Sequence, residues 1–109
     1  MIILDPGFND CIVWMINPYV KDQNKVTRIK GTVNENCESL INRLTEYKKV
    51  KNQYGNYVDK LVWKDYIYLD VTPSIGRAYL DIFTRYDLPV EEIRACNPDS
   101  IIPVEMSFD

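Results

Sequence analysis

The sequence predicts an α+β protein, in which an N-terminal β-hairpin and strands with one amphipathic helix are followed by a β-α-α-β unit. Two stretches place apolar residues at helical spacing, and others alternate or cluster β-branched and aromatic residues between turn formers. The composition, 46% hydrophobic and 27% charged, is that of an ordinary globular chain. At 109 residues it suits one cooperative unit, read as an N-terminal α/β part over 1–64 and a C-terminal part over 65–109.

Met1–Leu4 and Cys11–Ile16 are apolar runs on either side of Asp5-Pro6-Gly7-Phe8-Asn9-Asp10, which is dense in turn formers, so a hairpin is expected. Val26–Val33 reads as an edge strand. Cys37, Leu40, Ile41, Leu44 and Tyr47 then recur at helical spacing. Asn34 or Asn36 is the expected cap of that helix, and Lys48, Lys49 and Lys51 are expected to meet its negative end, which accounts for the lysine cluster without nucleic acid.

Gly55-Asn56 marks a turn, and Tyr57–Trp63 and Tyr66–Val71 read as strands paired through Lys64-Asp65. Ser74 is the expected cap of a second helix carrying Ile75, Ala78, Tyr79, Ile82, Phe83 and Tyr86 on one stripe. Asp87-Leu88-Pro89 ends it, and a short third helix is expected to stop at Asn97-Pro98. Ile102, Val104, Met106 and Phe108 alternate with polar residues and proline, as in a half-buried edge strand.

Several chemistries are disfavoured. The chain has no histidine, which removes the commonest general base and transition-metal ligand. Cys11, Cys37 and Cys96 are odd in number and widely spaced, so reduced, buried thiols are expected. A net charge of −3 gives no overall pull toward nucleic acid or an anionic membrane. No signal peptide or membrane span is read at the N-terminus, which suggests a cytoplasmic protein.

The stretch from Ala78 to Pro98, with Leu88-Pro89-Val90-Glu91-Glu92-Ile93 at its centre and Asn97-Pro98 at its close, resembles the central part of a LysM module, and Ile101–Met106 resembles that family's last strand. Val71-Thr72-Pro73-Ser74-Ile75-Gly76 stands where the family has Gly-Asp-Thr. The resemblance implies a shallow glycan groove between Thr72, Pro73, Ser74 and Gly76 on one side and Asn97, Pro98, Asp99, Ser100 and Ile101 on the other. LysM-like modules also serve as joints in phage tails and baseplates. The leading expectation is therefore a non-enzymatic assembly protein, built into a virion through protein contacts as a homo- or hetero-oligomer. It needs no cofactor; a glycan is the alternative partner, and nucleic acid is not expected.

Asp5-Pro6-Gly7 at the end of a first strand also resembles the opening of RuvC-like members of the ribonuclease H fold, whose first aspartate binds a divalent metal. Asp70, ending a later strand, is the candidate second ligand, with Asp10, Asp81 or Asp99 as a third. This alternative, a metal-dependent nuclease, requires Asp5 and Asp70 to end adjacent strands at the same edge of one sheet, in a solvent-open cleft, with at least one more acidic residue such as Asp10, Asp81 or Asp99 close by. Its competing explanation is that Asp5 is only a turn former. Tyr54, Tyr57, Tyr66 and Tyr68, with Trp63, are either a stacking platform for bases or sugars or ordinary half-buried strand residues.

Overall fold

The structure, a computed structural model, describes residues 1–17 and 19–94. Cys96, the Asn97–Ile101 side of the LysM-like groove and the predicted last strand lie outside the described residues.

β1 (Ile2–Pro6) and β2 (Asp10–Met15) form the expected antiparallel hairpin, and β3 (Lys25–Lys30) adds antiparallel to β2 as the sheet edge. α1 (Val33–Leu44) follows. β4 (Thr45–Lys51) and β5 (Tyr57–Trp63) pair only with each other, in a separate two-stranded ribbon. β6 (Ile67–Asp70) returns to lie parallel to β1, and α2 (Ser74–Arg85) crosses over to β7 (Glu91–Ile93), parallel to β6. The five-stranded order is β3-β2-β1-β6-β7, an α+β architecture.

Alternation along the strands separates two faces. Ile2, Leu4, Cys11, Val13, Ile67 and Leu69 meet Cys37, Leu40, Ile41 and Leu44 of α1 and Tyr79 and Phe83 of α2 in the main core. Ile3 and Ile16 are buried on the other face with Trp14, Tyr68 and Ile93. Both α-helices among the described residues therefore serve the first face. A buried hydrogen bond from Asn36 Nδ2 to the Tyr79 hydroxyl, 3.0 Å, ties the two helices together.

Several local expectations are corrected. Thr32, not Asn34 or Asn36, caps α1: its Oγ1 accepts from Glu35 N at 3.2 Å while Glu35 Oε1 accepts from Thr32 N at 3.1 Å. The helix ends at Leu44, so Tyr47 and the lysines leave its stripe and lie on β4, where pairing with Tyr57–Trp63 offers seven matched residues. β5 does not pair with β6, because Leu4, Ile3 and Ile2 of the buried central strand take that edge. Pro73 holds the α2 cap position without a side-chain bond, leaving Ser74 as the first helical residue.

The predicted third helix is strand β7. Val90 packs with the main core and Ile93 with the opposite face. Positions three apart fall on one side of a helix but on opposite sides of a strand, so this pair of contacts selects extended backbone. Phe83 is buried as expected, Ile82 only partly, and Ile93 lies on the far side of the sheet. β6 has β1 on one side and β7 on the other, so both its edges are occupied.

Gly76 sits where a Cβ would come 2.3 Å from the Asp70 carbonyl oxygen and 2.9 Å from Val71 Cα, both of them backbone atoms that cannot rotate away. Gly76→Ala is expected to cost about 1–3 kcal/mol or more by overpacking. Urea denaturation should show a lower midpoint with an unchanged slope.

Candidate functional site

The parallel register of β1 and β6 sets Ile2 beside Ile67, Ile3 beside Tyr68 and Leu4 beside Leu69. Asp5 and Asp70 come next in each strand, so they stand side by side where the two strands end, about 4.8 Å apart along the hydrogen-bonding direction. Leu4 and Leu69 point toward the helices, so Asp5 and Asp70 share the opposite face with Ile3 and Tyr68. The carboxyl ends of adjacent parallel strands are where open sheets place ligands.

The two carboxylates differ in surroundings. Asp70 is buried, and its Oδ1 accepts from the Thr72 backbone amide at 2.9 Å, which fixes its orientation. Asp5 is half-buried and belongs to β1 rather than to the turn; among the described residues no amide donates to its carboxylate. Its carboxyl is held above the usual aspartate value, first by burial, then by the charge of Asp70, then by that of Asp10. The turn-former explanation of Asp5 therefore does not describe its place in the fold.

Asp10 lies on the same face at the start of β2, with Oδ2 3.4 Å from Arg28 Nε. A Cβ on Gly7 would meet Asp10 Oδ1 at 2.3 Å, so the glycine makes room for this side chain. Asp81 is exposed on α2, and Asp99 is outside the described residues. Among the described residues no group of three or more His, Cys, Asp or Glu side chains is arranged to hold a metal, so the third acidic ligand that the nuclease expectation calls for is not found among them.

The described half of the LysM-like groove adjoins this pair. Thr72 and Ser74 are exposed, Pro73 is half-buried and Gly76 is buried against the Asp70 backbone. Cys11 and Cys37 are free and buried, and burial pushes both thiols up to about 12, which suits packing rather than nucleophilic work. A cleft of about 440 Å3 lined by Lys60, Trp63, Tyr66, Tyr68 and Val90 lies at the other end of β6, away from the carboxylates. No helix among the described residues is long and apolar enough to cross a membrane. No protein-family model, no curated protein and no solved structure matches the chain.

A raised carboxyl pKa in the folded state means that ionising Asp5 opposes folding. The stability associated with its neutral form is complete below the unfolded aspartate pKa and is lost as pH rises through the higher folded value. Asp5→Asn is therefore expected to leave stability nearly unchanged at strongly acid pH and to raise it at neutral pH. Thermal melts of both proteins across pH measure this, and a variant that is less stable at neutral pH contradicts the assigned repulsion.

Proposed function

We propose that the protein is a metal-dependent nuclease in which Asp5 and Asp70 hold a divalent cation against a phosphodiester. The observation that carries this reading is the juxtaposition of the two carboxylates, 65 positions apart in the chain, at the ends of neighbouring parallel strands. A divalent cation between two neighbouring carboxylates would offset their mutual repulsion. The oxygen-only donor set suits Mg2+ or Mn2+, and Mg2+ is commonly held by one or two carboxylates together with water and substrate phosphate. Support also comes from the resemblance of Asp5-Pro6-Gly7 to RuvC-like openings, with Asp5 in the last two residues of β1.

A bound divalent cation would supply charge neutralisation and an activated water for in-line attack. The chain's own part is positional. The β1–β6 register sets the spacing of the pair, the Thr72 amide aims Asp70, and the Asp10–Arg28 pair places a guanidinium on the same face beside the site. No histidine is needed for any of these roles. The assembly reading draws its support from exposed aromatic surface, with Tyr54, Tyr57 and Tyr66 all largely in solvent. It has less support at the LysM-like stretch, where Glu91–Ile93 is a strand.

Wild-type protein is expected to cleave DNA or RNA in Mg2+ or Mn2+ and not in EDTA, with Asp5→Asn and Asp70→Asn each lowering the rate more than about 100-fold. Mn2+ should also raise the melting temperature of the wild type and not of Asp5→Asn. A wild type that neither cleaves nor is stabilised by Mn2+ would rule the proposal out.

A further inference from the structure

The ribbon formed by β4 and β5 takes no part in the carboxylate site, and its chemistry differs from the rest of the chain. Its two strands and turn carry four lysines, Lys48, Lys49, Lys51 and Lys60, against Glu46 and Asp59, in a chain whose net charge is −3. The base is anchored: Leu61 and Trp63 pack on the main core, and Trp63 meets Phe83 edge-on at 5.2 Å. Beyond it, Tyr47–Lys49 and Tyr57–Lys60 are exposed on both faces. A seven-residue strand spans about 23 Å, so the ribbon forms a projecting arm.

Charge on this arm is placed against the interest of the isolated fold. Lys48 lies directly opposite Lys60 across the ribbon, a like-charged pair that costs stability. Lys49 and Lys51 occupy the other face, with Asp59 and Tyr57 opposite them. Lys49 pairs with Asp59 at 3.3 Å, Lys60 with Asp87 at 3.4 Å, and Lys51 lies 5.5 Å from the centre of the Tyr57 ring. Lys48 has no ion pair among the described residues. Tyr47, Tyr54 and Tyr57 are 66–79% exposed.

We infer that this ribbon is a nucleic-acid arm that lodges in the major groove of duplex DNA, between the two phosphate backbones. Cations on both faces fit a partner with negative walls on both sides. A membrane-binding element would instead collect its apolar side chains on one face, as this ribbon does not. The major groove of B-DNA, about 12 Å wide, admits a two-stranded β-ribbon, whereas the deep groove of duplex RNA does not. The exposed tyrosines supply apolar contact along the same surface, as to thymine methyl groups. This deepens the nuclease reading by naming the substrate class, yet the binding itself requires no metal.

Fluorescence anisotropy with a labelled 20-base-pair DNA duplex, in EDTA and over a range of salt, tests the inference separately from cleavage. The Lys48→Ala/Lys49→Ala/Lys51→Ala variant should bind at least about tenfold more weakly at 0.1 M salt, with the slope of log K against log salt shallower by about 2.7. The matching Lys→Arg triple variant should restore both. An unchanged slope in the alanine variant, or equal affinity for duplex RNA or for anionic vesicles, overturns the inference. So does a shift of oligomeric state in the alanine variant without loss of DNA affinity, because the arm would then serve a second copy of the chain.

Discussion

The parallel pairing of β1 with β6 is the constraint on which the rest depends. β1 is the central strand, buried on both faces, and its hairpin partner β2 covers only one of its edges. The other edge needs a partner whose side chains match in and out along its length, and Ile67, Tyr68 and Leu69 meet Ile2, Ile3 and Leu4 in that order. A slip of one residue would send Tyr68 toward the helices and Leu69 away from them. The same register sets Asp5 beside Asp70, so packing specificity and the geometry of the proposed metal site are a single property of the sheet. Gly76 extends the dependence to α2, whose first turn presses on the Asp70 backbone.

The strongly patterned parts of the sequence were legible. The first hairpin, the edge strand and the stripes of both helices follow from short-range alternation or helical spacing, which reports local structure directly. Asp5 and Asp70 could be marked as strand-end carboxylates, and the pairing that unites them could be posed as a requirement but not deduced. Parallel pairing joins residues more than sixty positions apart and leaves no local trace.

The misreadings have physical causes. Tyr47 continues the helical spacing of Leu44 by coincidence, and it drew Lys48, Lys49 and Lys51 into a helix-dipole explanation that fails once the chain extends at Thr45. A signal was present in the comparable lengths of Thr45–Lys51 and Tyr57–Trp63 around a turn that contains Gly55, whose φ of 82° favours glycine. Glu91–Ile93 has the text of a helix start, but the free edge of β6 and the need to fill both faces of the sheet override that propensity. The tyrosines divide: Tyr68 is a half-buried sheet residue, while Tyr54, Tyr57 and Tyr66 are exposed.

The position of the ribbon between α1 and β6 also has a kinetic meaning. β4 and β5 are neighbours in sequence, and hairpins of this kind close in about 1–10 μs. β6 must wait for a far larger loop to close before it can find β1, and such non-local pairing is the slow step in folds of this type. Closing fast is not the same as standing alone: a lone two-stranded ribbon is marginal in water, so the arm is held only once Leu61 and Trp63 reach the core, and the basic arm and the acidic pair are secured by the same packing.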